Sequence, residues 1–188
     1  MLTRFITLLV SACGLLTVKA QEKNTSAIPD PEYMNQVYYI GDSNKLVTLQ
    51  KEKASMKTKT KLGGFGGSSM SYVMEGSSSA IHFGNSKPSF AVKMDGMMMD
   101  PSSALKLYKF NKNKNDRESI ISKSGIGGKN SSTNMDGISF TVKKTSTGVY
   151  ILSPEEPLEP GEYGILNLRM PAGSGMTMAY TTYTFAIN

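Results

Sequence analysis

Hydrophobic and polar residues alternate along most of this chain with a period of two positions, not the 3.6 of a helix. The segment GISFTVKK places Ile138, Phe140 and Val142 on one side and polar residues on the other. The C-terminal TTYTFAIN alternates in the same way, and KASMKTKTKL alternates small or apolar residues with polar ones that are mostly lysines. Strict alternation over such lengths predicts half-buried β-strands.

Further strands are predicted at 36–40, 45–50, 70–74, 89–94, 104–110, 118–122, 149–152 and 163–170. Segments rich in Gly, Pro, Asn and Ser separate them. About ten short strands with regular turn signals and no helical pattern predict an all-β fold, a single antiparallel β-sandwich. Its core is expected to include Ile138, Phe140, Val142, Leu166, Leu168, Phe185 and Ile187.

The first twenty residues have the organisation of a secretory signal peptide. Arg4 gives a positive start, and residues 5–16 form an apolar stretch that is too short to span a bilayer. Val18 and Ala20 form the small-residue pattern that signal peptidase recognises. We therefore expect cleavage after Ala20 and a secreted or periplasmic protein.

The signal peptide at 1–20 is expected to be followed by a flexible leader at 21–34 and the β-sandwich domain at 35–188, with no transmembrane segment in the mature chain. A lipoprotein is the alternative, because VSAC resembles a lipobox in which Cys13 would be lipidated. It is less favoured, since the apolar run continues beyond that cysteine.

Composition narrows the classes of function. Cys13 is the only cysteine, so the mature chain is expected to have no disulfide, thiolate metal site or cysteine nucleophile. An exported domain without disulfides favours a bacterial envelope. Without Arg4 and Lys19 of the predicted signal peptide, 19 basic and 15 acidic side chains give a net charge of +4, a mild bias that is compatible with attraction to acidic polymers.

The second half of the chain carries a series of turn and strand motifs: LYKF, NDRESII, SPEEPLEPGEYGIL and TFAIN. In this order they resemble secreted domains of uncharacterised function from Gram-negative bacteria. The resemblance covers roughly residues 89–188. It implies a β-sandwich and export, and it supplies no catalytic residue.

Four glutamates lie close together in the sequence: Glu155, Glu156, Glu159 and Glu162. Paired carboxylates can act as general acid and base, but one of them then needs a pKa raised by burial or by a like charge. Three prolines and the Pro160-Gly161 turn predict instead an exposed loop that leads into a strand. Glu162 is expected to pair with a basic neighbour in the sheet.

Other candidates for chemistry are weak. His82 is the only histidine, it has no GxSxG motif or cysteine to work with, and a structural role is favoured. GIGGKNSS lacks the first glycine of a phosphate loop and the Ser or Thr after its lysine. GGFGGSSM is predicted to be a flexible loop. We predict no catalytic residue, no cofactor and no metal ligand.

Methionine is unusually frequent, with thirteen in the chain. Met97, Met98 and Met99 lie in a predicted turn, where exposed apolar side chains can mark a partner contact. With Met94, Met176 and Met178 they also suggest a soft-ligand Cu(I) site. Ordinary packing is the simpler alternative.

Five lysines form the most regular polar feature: Lys51, Lys53, Lys57, Lys59 and Lys61. A strand would project them to one side, where they could bind lipid phosphates or an acidic glycan. The alternatives are a solvated strand face and an edge strand that the lysines protect from aggregation. No aromatic residues are interleaved with them, which argues against nucleic acid.

We therefore predict a non-enzymatic, exported β-sandwich that acts in binding or assembly at the bacterial cell envelope. Its partner would be another envelope protein or an anionic glycan or lipid surface. An envelope hydrolase with an unrecognised site is the alternative, and periplasmic copper binding is a more distant one.

Overall fold

The computed structural model describes residues 28–61, 66–94, 100–126, 131–146, 148–172 and 178–188. These residues contain a short 3-10 helix (Asp42–Asn44), a single helical turn (α1, Pro101–Ala104) and thirteen strands. In chain order the strands are β1 (Val37–Ile40), β2 (Leu46–Thr48), β3 (Gln50–Thr60), β4 (Ser68–Glu75), β5 (His82–Phe83), β6 (Phe90–Lys93), β7 (Leu105–Lys112), β8 (Asp116–Ser124), β9 (Ser132–Thr133), β10 (Phe140–Ser146), β11 (Val149–Pro154), β12 (Gly161–Pro171) and β13 (Ala179–Ile187). The predicted all-β class is confirmed. Neither helix in these residues is long and apolar enough to cross a membrane.

The strands form two layers. Five of them make an open antiparallel sheet in the order β10-β11-β6-β1-β2. Six others follow the order β12-β7-β8-β4-β3-β13, and this sheet closes because β12 also pairs with β13. The short strands β5 and β9 add to β13 and β8.

The second layer is therefore a six-stranded barrel, and the predicted sandwich of two open sheets is not confirmed. Alternation along a strand specifies which residues share a face. It does not specify whether the last strand of a sheet pairs with the first, because that depends on strand tilt and stagger.

The apolar residues divide between two cores. The barrel interior contains Ala54, Tyr72, Met74, Tyr108, Phe110, Ile121 and Leu166. A second core, which we name the inter-layer core, lies between the five-stranded sheet and the outer side of β7, β12 and β13. Its members include Val37, Phe90, Leu152, Leu107, Tyr163, Phe185 and Ile187. Both faces of β12 and β13 are thus buried.

The seven predicted core residues are all at least partly shielded, but they do not share one core. Phe185 and Ile187 are buried in the inter-layer core, and Leu166 is buried inside the barrel. The others are partly buried against one core or the other: Ile138, Phe140, Val142 and Leu168. The predicted burial is confirmed, with three of the residues only at the margin of the inter-layer core.

Part of the predicted leader lies against the fold. The backbone N–H of Asn35 donates to the carbonyl of Lys93 at 2.7 Å, and the Lys93 side chain forms an ion pair with Asp30. Met34 forms a parallel bridge with the same residue of β6. The predicted signal peptide lies outside the described residues, so the domain boundaries stay a prediction.

Candidate functional site

Three of the six barrel strands have an outer face that the five-stranded sheet does not cover. We name the outward-facing residues of β3, β4 and β8 the open wall. Directly opposed residues of antiparallel strands share a face, so rows of residues cross this wall. The rows are Ser55, Val73 and Glu118, then Lys57, Ser71 and Ile120, then Lys59, Ser69 and Lys123.

The predicted lysine series lies on the outer side of β3, and all five side chains are exposed. Lys51 leans toward the covered side of the barrel, where its Nζ lies 5.8 Å from the ring centroid of Tyr183. Lys53, Lys57 and Lys59 project from the open wall, and Lys61 follows directly after the strand.

The pairing of β3 leaves the edge-protection alternative open. From Gln50 to Ser55 the strand is paired with β13 on one side, but only Ala54 and Ser55 of this stretch also pair with β4 on the other. Lys51 and Lys53 therefore have a described strand partner on one side only. From Lys57 onward, the described pairing is with β4 alone, so edge protection stays possible for Lys57 and Lys59 as well.

Lys123 is a member of this surface that the sequence pattern did not indicate. Arg117, Ser119 and Ile121 of β8 are buried, and unbroken alternation would turn Lys123 inward with them. A β-bulge opposite Met70 shifts the register by one residue, so that Lys123 pairs with Ser69 and faces outward. Bulges commonly redirect a side chain in this way, and alternation within one strand gives no sign of them.

An open groove of about 530 Å³ runs along the start of β4, and we name it the basic groove. Lys59 and Lys61 line it on the β3 side and Lys123 lines it on the β8 side. Its floor includes Gly67 and Ser69. Gly67 has a φ of +86°, and a Cβ there would lie 2.2 Å from the Ser124 carbonyl oxygen, so only glycine fits.

One of the three lysines of the basic groove is already paired. The Nζ of Lys59 lies 2.8 Å from Oε1 of Glu118, which also accepts a hydrogen bond from Ser71 Oγ at 2.7 Å. These contacts hold the pKa of Glu118 below its ordinary value, and the same ion pair raises the pKa of Lys59. Among the described residues, neither Lys61 nor Lys123 has a carboxylate partner.

The opposite end of the open wall has a different character. A second open groove, of about 660 Å³, is lined by Lys53 and Lys57 together with Glu75 and Asp116. Positive and negative side chains offset one another there. The lysine series is therefore divided, and its uncompensated charge lies in the basic groove.

A buried ionic cluster closes the barrel at the end near this second groove. Arg117 is 1% exposed and donates through Nη1 to Glu162 Oε2 at 3.3 Å, while its Nη2 pairs with Glu52. The Nζ of Lys112 lies 3.0 Å from Glu162 Oε1, and Thr184 Oγ1 donates to Glu52 Oε1 at 2.9 Å. These side chains all project into the barrel from its strands.

The remaining donors of Arg117 hold the chain that follows β4. Its Nε donates to the Gly76 carbonyl at 3.0 Å, its Nη2 to the Glu75 carbonyl at 3.3 Å, and its Nη1 to Ser79 Oγ at 2.7 Å. The guanidinium has five N–H donors, and five acceptors surround it. The Arg117 cluster is therefore satisfied internally and leaves no donor of this arginine for a ligand.

The cluster also fixes the ionisation of Glu162. Burial opposes its negative charge, but hydrogen bonds from Ser79 Oγ, from Lys112 and from the Ser79 backbone N–H outweigh that effect and lower its pKa. A general acid needs a raised pKa. Glu162 is thus suited to holding the barrel end closed, not to donating a proton.

Acidification is expected to destabilise the protein through Glu162 and Glu118. Both carboxyl groups have a lowered pKa in the folded state, so the unfolded chain takes up these protons first as the pH falls. Their stabilisation is complete above the ordinary carboxyl pKa of about 4.3 and is lost as the pH falls through the lower folded-state values. The check is the free energy of unfolding in urea from neutral pH to about pH 3.

Glu162→Gln should flatten this pH dependence, whatever its effect on the stability itself. Glu156→Gln, in the exposed loop before β12, is the matched control and should leave the slope unchanged. Identical slopes for the two variants would contradict the role given to Glu162.

The other predicted residues take the following positions. Glu155, Glu156 and Glu159 are exposed, as expected of the loop. The prediction that Glu162 lies on the same exposed loop is wrong, because Glu162 starts β12 and its side chain is turned into the barrel. Its expected pairing with a basic neighbour is confirmed by Lys112 and Arg117.

His82 bridges two chain segments at the edge of the barrel. Its Nδ1 lies 2.9 Å from Asn188 Oδ1, and its Nε2 lies 3.1 Å from the Ser79 carbonyl. No group of three or more His, Cys, Asp or Glu side chains that could hold a metal ion occurs in the described residues. The two contacts of His82 connect the segment after β4 to Asn188 at the C-terminus.

The methionine turn Met97–Met99 lies outside the described residues, as does Met176. Met94 is buried in the inter-layer core, and Met178 is exposed. Of the predicted flexible loop GGFGGSSM, Ser68 to Met70 form the start of β4. That prediction is wrong for these three residues, since they pair with both β3 and β8.

No known family model, curated protein or solved structure gives a significant match to the chain. The resemblance to secreted Gram-negative domains therefore stays a prediction, and any function has to be argued from the surfaces described above.

Proposed function

We propose that this protein is a non-enzymatic binding module of the bacterial cell envelope that contacts an anionic glycan through the open wall of its barrel. One observation carries the proposal. Lys57 and Lys59 of β3 project from the face of the barrel that the five-stranded sheet leaves uncovered, and Lys61 follows them. The envelope location follows from the predicted signal peptide.

A rigid array of lysines suits a repeating anionic polymer. Alternate residues on one face of a strand lie about 7 Å apart, so Lys57, Lys59 and Lys61 form a regular row of ammonium groups, of which Lys59 is paired with Glu118. Each ammonium without a carboxylate partner can neutralise one anionic group, and the release of counterions from the polymer then favours association. The opposed residues Ser69 and Ser71 are small, so the Lys57 and Lys59 side chains extend beyond them into solvent.

The alternative of an envelope hydrolase has less support. The carboxylates inside the barrel, Glu52 and Glu162, are both held by Arg117. The lowered pKa of Glu162 favours its ionised form. For copper binding or a protein contact, the principal candidates Met97–Met99 lie outside the described residues, so no contact or distance supports either.

Replacing Lys57, Lys59 and Lys61 together with glutamine is expected to weaken binding to lipopolysaccharide or polygalacturonate and to make it less dependent on salt. Fewer released counterions give a shallower slope of log affinity against log salt concentration. Titration calorimetry over a series of salt concentrations measures this slope. The fold should persist, because exposed polar substitutions change stability by about 0.5 kcal/mol or less per site.

A matched control carries the same charge change elsewhere. Lys45, Lys143 and Lys144 are exposed and lie outside the barrel, so their triple glutamine variant should keep the original slope. Equal losses of affinity in the two variants would show that binding depends only on the net charge of the protein. If the original protein binds no glycan and the first variant self-associates, the lysines protect an edge strand and the proposal is wrong.

A further inference from the structure

We propose that the basic groove is a binding site for a phosphate monoester carried on a sugar, with Lys61 and Lys123 as the groups that match its charge. This inference rests on the proposed function, since it identifies where on the open wall an anionic glycan is held and which anionic group is recognised. The argument depends on the shape of the groove, its charge and its β-bulge.

The shape of the groove follows from side-chain size. Lys59 and Lys123 lie on either side of Ser69 in one row across three strands. Two strand spacings separate their backbones by about 9–10 Å. Between them lie only small residues, Ser69 of β4 and the preceding Gly67, so a trough forms between two lines of long side chains. An anionic group that protrudes from its carrier can enter such a trough between the lysines.

The charge of the groove favours a dianion. Lys59 is already neutralised by Glu118 at 2.8 Å. Lys61 and Lys123 have no carboxylate partner in the described part of the chain, which leaves two ammonium groups facing one trough. A phosphate monoester carries a charge of about −1.5 to −2 near pH 7 and offers three acceptor oxygens. A uronic carboxylate carries a single charge and would leave one lysine unmatched.

Additional lining residues suit a sugar phosphate. Ser69 and Ser124 bring hydroxyl groups that can donate to phosphate oxygens, and neither side chain is hydrogen-bonded within the described residues. Ile120 is partly buried and gives the trough an apolar patch. A sugar ring has apolar C–H faces as well as hydroxyl groups, so Ile120 provides a contact for it.

The β-bulge in β8 is the structural device that completes the site. Without it, Lys123 would point into the barrel interior, where an unpaired charge is costly. With it, Lys123 is placed opposite the lysines of β3. A bulge disrupts the ladder locally, and bulges are frequent beside functional sites. Its position here converts a row of lysines on one strand into a two-sided groove.

The first experiment uses the chain from residue 21 onward, which is the predicted mature protein, with inorganic phosphate or glucose 6-phosphate as the probe. Amide chemical shifts should change in a saturable way at Gly67, Ser69 and Lys123. Lys123→Gln should weaken the affinity about tenfold, as expected when a charge-assisted hydrogen bond is lost. Lys143→Gln, at an exposed lysine outside the barrel, should change it by about twofold or less.

The second experiment separates the sources of the phosphate group. Binding is measured to lipopolysaccharide, to the same lipopolysaccharide after removal of its phosphates, and to vesicles of phosphatidic acid, whose headgroup is also a phosphate monoester. We expect loss of binding on dephosphorylation and with Lys123→Gln, and no loss with Lys143→Gln. Tighter binding to the vesicles than to lipopolysaccharide would contradict the proposal that the phosphate is carried on a sugar.

The outcomes distinguish this site from the proposed function. If lipopolysaccharide binds equally well with and without its phosphates and in both lysine variants, the groove site is wrong while glycan binding by the open wall stands. If phosphate perturbs the groove but no glycan binds, the proposed function is wrong while the phosphate site stands. The absence of any phosphate response at the groove would overturn the inference directly.

Discussion

Replacing Arg117 with methionine is expected to lower the free energy of unfolding by about 3–5 kcal/mol. Arg117 is 1% exposed and lies between Glu52 and Glu162. Its removal leaves two carboxylates at the closed end of the barrel with too little positive charge, and it frees the Gly76 and Glu75 carbonyls. The cost of an uncompensated buried charge is much larger than that of a lost surface ion pair. Urea unfolding gives the difference.

Arg169→Met is the matched control, because Arg169 is the other arginine of the described residues and is exposed. It should change stability by about 0.5 kcal/mol or less. Adding Glu162→Gln to the Arg117→Met variant should restore part of the loss, since one uncompensated charge is then removed. A loss below about 1 kcal/mol for Arg117→Met, typical of a screened surface pair, would contradict the picture of a buried ionic cluster at this end of the barrel.

Phe185→Ala is expected to cost about 3–5 kcal/mol of stability through the cavity that it leaves in the inter-layer core. The Phe185 side chain is fully buried, and its ring centroid lies 5.4 Å from that of Phe83, 5.1 Å from Phe90 and 5.6 Å from Tyr163. These rings come from both the barrel and the five-stranded sheet. Urea unfolding measures the loss, and hydrogen exchange should accelerate in β6, which carries Phe90.

Phe140→Ala provides a graded comparison. Phe140 has the same place in an alternating strand pattern as Phe185, yet it is only partly buried against the inter-layer core. Its loss should therefore cost clearly less than that of Phe185, because less contact is removed and the site is open to water. Equal costs for the two variants would show that the edge of the five-stranded sheet is packed as tightly as its centre.

The lysine series shows what a sequence pattern can and cannot locate. Alternation placed Lys57 and Lys59 on one face of a strand, and they are exposed on one face of β3. The pattern could not show that Lys59 is neutralised by Glu118, which is 59 residues away in the chain. Nor could it show that Lys53 lies among carboxylates of β4 and β8. Cross-strand neighbours depend on pairing and register, which alternation within a strand does not specify.

Glu162 illustrates the limit at a single residue. Prolines and the Pro160-Gly161 turn correctly indicate a loop before a strand, and three of the four glutamates are exposed there. A glutamate at the start of a strand would ordinarily be exposed to solvent as well. It is buried because the barrel closes around it and brings Arg117 and Lys112 within reach, so its environment is supplied by distant strands.

The sequence by itself determined the β-strand class, the approximate position of most strands and a few core residues such as Leu166, Phe185 and Ile187, because a strand's two-residue period is a local property of the chain. Only the tertiary structure decided that six strands close into a barrel, that Arg117 seals one end, and that a β-bulge turns Lys123 toward the lysines of β3. These features depend on register and on strand closure between distant segments. Register fixes which side chains meet, and in this protein it determines where the charges accumulate.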